Sequence, residues 1–372
     1  MGKPNKLFSE FPRVSRKQWE DKIKEDLKGA PYKKLITKTP EGIDLKPYYH
    51  GEDLKELGYL DTLPGKFPYT RSGKIQLNDW EIRQDIFVES IESANKKALH
   101  ALNWGATALG LIIPDELDIT QEDFNRLLKG IYFDCIHINF ITHNQSRKII
   151  DFLKSALTDH NIDGNRIIGS VSCDPIGYLS EQGYLNDSIE KEFESLVTMI
   201  RESSSKMPFF KTITINAALI HNAGGSAVQE VGIALSQVSE YMDRLTEAGL
   251  KADEIAPFFQ FNFATGSSYF MEIAKTRASR LLFANLVKAW GTKLERSNRI
   301  YIHSTTSAWN QTIYDPYVNM LRATTEGMSA ALGGSDSISV LPFDSAFRKT
   351  TAFSERIARN TQIILKEEAH IN

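Results

Sequence analysis

The sequence predicts an α/β protein of the (β/α)8 TIM-barrel class, preceded by an extended N-terminal arm. From residue 80 onward, short apolar segments rich in Ile, Val, Phe and Thr alternate with segments of helical periodicity. There are about eight such pairs, spread over a length close to the ~250 residues typical of this barrel. Segments of this composition are typical of parallel strands that are buried on both faces. The first 79 residues lack this alternation.

The bounds of the barrel elements follow from these apolar segments and from the amphipathic segments between them. The predicted strands are Trp80–Val88, Ala106–Ile113, Cys135–Ile141, Arg166–Ser172, Phe210–Ala217, Pro257–Phe263, Arg299–Thr305 and Ser337–Leu341. The predicted helices are Ile91–Ala101, Thr120–Leu128, Gln145–Ala156, Ile189–Glu202, Ala227–Ala248, Ser268–Ala289, Pro316–Leu332 and Phe353–Lys366. A doubly wound open sheet is the alternative, but no Gly-x-Gly-x-x-Gly turn follows an early strand.

Residues 1–79 are assigned to the arm and residues 80–372 to the barrel. A short helix is expected from Val14 to Leu27, because Trp19, Ile23 and Leu27 are spaced four apart and Ser15 can cap the helix. Frequent glycine and proline residues then interrupt the arm, and scattered aromatic residues lie between them. Such aromatic side chains need a surface to pack on, which is either the arm's own barrel or a partner protein.

Composition and charge exclude several classes of function. The net charge of −3 does not favour binding to nucleic acid or to an acidic membrane surface. No apolar run reaches the roughly 20 residues of a membrane helix, and the N-terminus has no apolar signal core. The two cysteines, Cys135 and Cys173, are too few for a disulfide framework and are expected to be reduced. We therefore expect a cytoplasmic protein, or one in the lumen of an organelle.

His221 is the first candidate for catalysis, since catalytic groups of TIM barrels lie at the carboxyl ends of strands. It follows the predicted fifth strand and precedes Gly224 and Gly225, which could bind an anion at the start of a helix. The alternative is a hydrogen-bonded histidine beside a tight turn. Without a second catalytic group nearby, the structural interpretation is favoured.

The remaining candidates are also open to structural interpretations. His303 lies among hydroxyl side chains near a strand end, but the Gly-x-Ser-x-Gly motif of serine hydrolases is absent. Gly333-Gly334 could form a phosphate site or a simple turn, and the two interpretations are close to even. His137 and His143 lack carboxylate or thiol neighbours at metal-ligand spacing, so a metal site is not expected.

Many motifs of the chain resemble the cobalamin-dependent acyl-CoA mutase family, of which methylmalonyl-CoA mutase is the type member. The strongest similarity covers Tyr301–Glu368, and weaker similarity extends over nearly the whole chain. The segments that carry it are Thr39–Tyr49, Phe67–Arg71, Trp80–Gln84, Phe270–Arg280, His303–Trp309, Asp315–Tyr317, Arg322, Gly333-Gly334, Phe343-Asp344 and Ile357–Gln362.

The resemblance implies a TIM barrel whose axis is threaded by a coenzyme A thioester, followed in the family by a flavodoxin-like cobalamin domain. It also implies the radical rearrangement of methylmalonyl-CoA and succinyl-CoA, which adenosylcobalamin initiates. The family's cobalt-ligand motif, Asp-x-His-x-x-Gly, does not occur in this sequence. We therefore expect no cobalamin on this chain alone. Either the chain is a fragment of a longer subunit or its cobalamin domain is absent, and the fragment is the favoured interpretation.

The chain departs from the active family pattern at each position that would contact the substrate. Leu219 stands where the family has a histidine, Thr305 where it has a glutamine, and Ser339 where it has a second histidine. The family's arginine segment after the fourth strand has no counterpart, and Asp174–Tyr178 stands there instead. The loop Ser72–Asp79 lacks the family's tyrosine. A dicarboxylic thioester needs a cation for its free carboxylate and a donor for its thioester oxygen.

These departures predict the small, catalytically silent subunit of a heterodimeric mutase, with the catalytic large subunit as partner and the arm clasping it. No catalytic, cofactor-binding or metal-binding residue is expected on this chain, and adenosylcobalamin would be bound by the large subunit. One alternative is an active mutase of altered substrate, with His221 as donor and Asp336 or Lys74 in new roles. Another is a TIM-barrel enzyme of different chemistry that works at Gly333-Gly334.

Overall fold

A computed structural model of the chain describes residues 10–55 and 57–372. The chain divides into two compact units, one ending at Asp61 and the other spanning Thr62–Asn372. Residues 62–79 are thus grouped with the barrel strands, and Tyr69 among them is buried. The division of roles between an arm of residues 1–79 and a barrel of residues 80–372 stays a prediction.

The first unit has little regular structure. Helix α1 (Arg16–Asp26) is capped as expected, because the Ser15 hydroxyl accepts from the Gln18 amide and the Gln18 side chain accepts from the Ser15 amide. Short 3-10 turns and an antiparallel pair of two-residue strands follow, at Tyr32–Leu35, Gly51–Leu54, Thr37–Lys38 and Asp44–Leu45. Between residues 10 and 61, no described hydrophobic side chain is buried. This unit therefore contains no hydrophobic core of its own in the described residues.

The second unit is a closed parallel barrel, which confirms the predicted fold class. Nine strand segments form one sheet, and two consecutive segments interrupted at Thr212 make up the fifth strand, so that eight strands complete the ring. The strands are β1 Glu81–Phe87, β2 Ala108–Ile112, β3 His137–Ile141, β4 Ile168–Val171, β5 Phe210–Lys211 with Ile213–Asn216, β6 Phe259–Thr265, β7 Tyr301–Thr306 and β8 Ser337–Ser339.

The strand pairing explains how the ring closes. Each neighbouring pair is parallel and in sequence order, and β8 pairs with β1 through Ser337 opposite Glu81. The first half of β5 pairs with β4, at Phe210 opposite Gly169, and the second half pairs with β6, at Ile213 opposite Phe259. The interruption within β5 therefore lies where the strand exchanges one neighbour for the other.

The helices lie close to their predicted bounds. They are α2 Ile91–Asn103, α3 Gln121–Leu127, α4 Ser146–Asp159, α5 Pro175–Gln182, α6 Ile189–Lys206, α7 Ala218–Asn222, α8 Ala227–Glu247, α9 Ala252–Ile255, α10 Tyr269–Ala289, α11 Val318–Gly333 and α12 Ala352–Ile363, which a π-helical turn, Ile364–Glu368, extends. Sequence reasoning missed the short helices α7 and α9, and it also missed α5. Its signal was Asp174-Pro175, an N-cap residue followed by proline in the first helical turn.

The apolar core lies between the strands and the surrounding helices, where Phe124, Phe140, Phe261 and Phe283 are fully buried. The inside of the barrel is different. TIM-barrel interiors are usually filled by branched apolar side chains. Here polar side chains hydrogen-bond to one another across the strands, as Ser170 does in donating to Asn139 at 2.8 Å. The polar interior opens at the carboxyl ends of the strands.

Candidate functional site at the carboxyl mouth of the barrel

A cavity of about 180 Å³ lies at the carboxyl ends of the strands, where TIM-barrel enzymes bind their substrates. Side chains from β1, β5, β6 and β7 line it, together with the loop that begins α5. The residues that matter for its chemistry are Arg83, Asp85, Asp174, Asn216, Asn262 and His303. The cavity is thus lined by charged and amide groups, and the partners of these groups decide what it can bind.

Arg83 and Asp85 form an ion pair inside the barrel. The Arg83 Nε donates to Asp85 Oδ1 at 2.6 Å, and the Ser339 hydroxyl donates to Asp85 Oδ2 at 3.2 Å. Gly110 on the neighbouring strand makes room for this pair, because a Cβ there would lie 1.9 Å from Asp85 Oδ1 and 2.7 Å from Arg83 Nε. Sequence reasoning missed this pair, although the i, i+2 spacing on one strand places both side chains on the same face.

His303 is buried beside this pair and is held by hydroxyl groups on both sides. Its Nδ1 lies 2.8 Å from the Ser337 hydroxyl, and its Nε2 lies 3.1 Å from the Thr305 hydroxyl. Burial and the nearby positive charge of Arg83 lower the pKa of His303 well below its usual value. A neutral imidazole with both nitrogens engaged fits the structural interpretation of this residue.

His221 is held by one hydrogen bond and lies near a buried carboxylate. Its Nε2 lies 2.8 Å from the Ser307 hydroxyl, and its Nδ1 lies 3.9 Å from Glu230 Oε2. Gly225 is required by packing, since a Cβ there would come within 2.7 Å of the Ile220 carbonyl oxygen. These contacts agree with the favoured interpretation, in which a satisfied histidine precedes a tight turn.

A buried charged cluster behind His221 was not anticipated from the sequence. The Lys275 ammonium lies 2.6 Å from a carboxylate oxygen of Glu230 and 2.6 Å from one of Glu272, and it donates to the Ala264 carbonyl. Burial raises the pKa of Glu230 to about 7. The signal in the sequence was the i, i+3 spacing of Glu272 and Lys275, which places both on one face of α10.

Glu326 on α11 is a second buried carboxyl group near the mouth. It accepts from the Ser307 amide at 3.1 Å and from the Asn310 side chain at 2.9 Å. Burial raises its pKa to about 7. Its hydrogen bonds fix the loop that follows β7, so its described contacts explain its position structurally.

The segment after β4 places an acid at the mouth. Asp174 caps α5, accepts from the Tyr241 hydroxyl at 2.6 Å, and accepts from the Gly177 amide at 2.9 Å. Burial raises the pKa of this carboxyl group. The Tyr178 ring on α5 lies 4.8 Å from the His143 ring. The wall of the cavity therefore presents a carboxyl group where the resemblance called for an arginine.

Lys74, Asp336 and Gly334 lie at the opposite, amino end of the barrel. The Lys74 ammonium donates to the Ser335 carbonyl at 2.7 Å, and Asp336 accepts from Arg280 at 2.7 Å. Gly334 ends α11 in the left-handed conformation, with a φ of 87°, just before β8. The Gly333-Gly334 turn thus precedes the last strand and does not contribute to the carboxyl mouth.

The described side chains at the mouth form no cluster of metal ligands. Within residues 10–55 and 57–372, no group of three or more His, Cys, Asp or Glu side chains is arranged to hold a metal ion. Of the histidines near the mouth, His303 is hydrogen-bonded through both ring nitrogens, His221 is hydrogen-bonded through Nε2, and the ring of His143 packs against Tyr178. In the same part of the chain, no helix has the length and apolar character needed to cross a bilayer.

Comparison with known proteins agrees with the barrel and with its motifs. The family model described as methylmalonyl-CoA mutase matches residues 38–115 and 118–372. The chain is 41% identical to the methylmalonyl-CoA mutase small subunit of Porphyromonas gingivalis, covering 99% of this chain and 59% of the relative.

More distant relatives include proteins named simply methylmalonyl-CoA mutase and proteins named as one of its subunits. Identity is 31% to the methylmalonyl-CoA mutase of Escherichia coli, over 91% of this chain and 51% of that protein. Identity is 29% to the small subunit from Streptomyces virginiae, over 98% of this chain and 59% of that protein. The chain thus spans little more than half the length of these relatives. On the family match over most of its length, together with the barrel and the motifs already described, the chain belongs to the methylmalonyl-CoA mutase family.

Proposed function

We propose that this chain is the small, catalytically silent subunit of a heterodimeric methylmalonyl-CoA mutase. In this role it supports a large subunit, which binds adenosylcobalamin and carries out the radical interconversion of methylmalonyl-CoA and succinyl-CoA. The proposal concerns the barrel and the arm, and it assigns no catalytic, cofactor-binding or metal-binding residue to them. It also keeps the expectation of a cytoplasmic location.

The observation that carries the proposal is the ion pair between Arg83 and Asp85. A dicarboxylic thioester would need a free cation at the mouth for its carboxylate. The Arg83 guanidinium is instead bound to Asp85 at 2.6 Å, and Asp174 adds a further carboxyl group to the same cavity. An anionic substrate would therefore meet like charge there, without an unpaired cation to offset it.

The proposed partner is a large subunit, and the first unit of the chain offers the contact surface. Its aromatic side chains are exposed, with Trp19 at 49% and Tyr49 at 61%. Exposed aromatic residues on a segment without a core are the kind that dominate protein–protein contacts. Relatives named as small and as large subunits both match this chain, which supports a heterodimeric arrangement.

The alternative of an active mutase with altered substrate is less well supported. It needs His221 together with Lys74 or Asp336. His221 lies at the carboxyl end of the barrel, whereas Lys74 and Asp336 contact residues that precede β8 at the amino end. Groups at opposite ends of the barrel cannot act on one small acyl group.

The test measures mutase turnover with and without the large subunit. The chain is purified alone, supplied with adenosylcobalamin and methylmalonyl-CoA, and assayed for succinyl-CoA by chromatography. We expect no turnover from the chain alone, and we expect a tagged form to copurify with a longer homologue carrying Asp-x-His-x-x-Gly. Conversion of methylmalonyl-CoA by the isolated chain would overturn the proposal. As a control, His221→Ala in the assembled enzyme is expected to leave turnover unchanged.

A further inference from the structure

A second cavity lies between the carboxyl ends of β1 and β8 and helix α12, and Arg83 and Asp85 of β1 also line it. Its volume is about 350 Å³, which falls in the range of small-molecule sites. Most of its wall is apolar, and the apolar side chains belong to the ends of β1 and β2 and to the loop after β8: Ile86, Phe87, Ile112, Val340 and Leu341. One wall is formed by the polar face of α12, which includes Arg359.

Arg359 is a buried cation with unused hydrogen-bonding capacity. Its side chain is held in place, because Nε donates to the Trp104 carbonyl at 2.8 Å and Nη1 donates to Gln84 at 2.7 Å. The residue is only 3% exposed, and its Nη2 has no hydrogen-bond partner among the residues that the structure describes. Among the same residues, no carboxylate lies within 4.0 Å of its guanidinium. A buried guanidinium that lacks a carboxylate partner and leaves a donor unsatisfied lowers the stability of the fold, and an anionic ligand would offset that loss.

The charges around the cavity leave a net positive balance. Arg83 is paired with Asp85, and Lys349 is paired with Glu89. The remaining acid of the wall, Glu355, accepts from the Thr350 hydroxyl at 2.9 Å and from Gln84. The two remaining cations of the wall, Lys97 and Arg359, are balanced only by this one carboxylate. The balance therefore permits one more negative charge beside Arg359.

We propose that this cavity binds an aliphatic monocarboxylate of medium chain length, with its carboxylate on Arg359 and its chain against the apolar wall. A guanidinium is suited to a carboxylate because its planar donors match the two oxygens. The apolar wall is suited to the hydrocarbon chain, for which burial in such a pocket is favourable. The binding of such a ligand does not depend on the proposed subunit role.

Titration calorimetry of the intact chain with octanoate tests the proposal directly. Octanol is the matched ligand, because it has the same chain length but no charge. We expect octanoate to bind at least about tenfold more tightly than octanol, since a charge-assisted hydrogen bond contributes on the order of 1.5–3 kcal/mol. Equal affinities for the two ligands, or no measurable binding of octanoate, would overturn the proposal.

Variants then locate the site. Arg359→Gln should weaken octanoate binding about tenfold or more, whereas Arg356→Gln, which changes an exposed arginine of the same helix, should leave it unchanged. Because Arg359→Gln removes bonds to Trp104 and Gln84, it is paired with Leu341→Trp, which adds bulk to the apolar wall of the cavity and leaves the bonds of Arg359 in place. Octanoate binding that persists in a folded Leu341→Trp protein would place the ligand elsewhere and refute the assignment.

Discussion

Arg83 and Asp85, two residues apart on β1, form an ion pair of 2.6 Å inside the barrel. Both side chains point to the same face of the strand, and Gly110 on β2 leaves the volume that they occupy. The pair therefore has a double effect. It fills the barrel near its carboxyl mouth, and it neutralises an arginine that lines the mouth cavity.

The fit of Gly110 against the ion pair predicts a large effect of a small substitution. Gly110→Ala places a methyl group 1.9 Å from Asp85 Oδ1, so the ion pair must move or separate. We expect a loss of about 1–3 kcal/mol in the free energy of unfolding, measured by urea denaturation. Gly232→Ala is the control, because a Cβ there meets nothing within 4 Å on an exposed face of α8. It should raise stability by about 0.5–1 kcal/mol.

The coupling between Arg83 and Asp85 can be measured with a double-mutant cycle. Asp85→Ala leaves a buried guanidinium without its carboxylate, and we expect a loss of about 1–3 kcal/mol. Arg83→Met in the same chain should recover part of that loss, because it removes the unpaired charge. Additive losses in the double variant would mean that the two residues do not stabilise each other.

The raised pKa of Glu326, about 7, predicts a pH dependence of stability. The Glu326 carboxyl group keeps its proton up to about pH 7 in the folded protein, but only up to its usual pKa near 4.5 in the unfolded chain. Below pH 4.5 the group is protonated in both states, and its contribution to the free energy of unfolding is then complete. That contribution is lost as the pH rises from about 4.5 through 7. His221 and His303 have lowered pKa values and therefore act in the opposite direction, since neutral imidazoles favour the fold as pH rises.

The contribution of Glu326 must therefore be measured as a difference between proteins. The free energy of unfolding is determined by urea denaturation at pH 5 and pH 7.5 for the wild type and for Glu326→Gln. We expect the variant to lose less stability than the wild type between these two pH values, because glutamine cannot ionise. An identical change in both proteins would show that Glu326 does not titrate in this range.

The barrel could be predicted from the sequence, but the site could not be built from it. Strand–helix alternation fixes the order of elements, and each strand lies close to its expected bounds because apolar periodicity determines which segments enter the core. The ion pair of Arg83 and Asp85 and its fit against Gly110 depend on strand register, which one sequence does not reveal. The cluster of Lys275 with Glu230 joins α8 to α10 over 45 positions of sequence. Such long-range contacts are set by the three-dimensional fold.

The exposed aromatic residues of the first unit make a prediction about the partner. Trp19 lies on α1, 49% exposed, with its ring 5.5 Å from that of Tyr48. Trp19→Ala should leave the melting temperature of the chain nearly unchanged, because no residue of α1 is buried. It should weaken binding to the large subunit by about 2 kcal/mol, roughly thirtyfold, if this ring is a central contact.

Surface plasmon resonance against the large subunit measures the change, and Lys17→Ala, at an exposed position of the same helix, is the control. Equal affinities for the Trp19→Ala and Lys17→Ala proteins would mean that α1 does not bind the partner through its aromatic side chain.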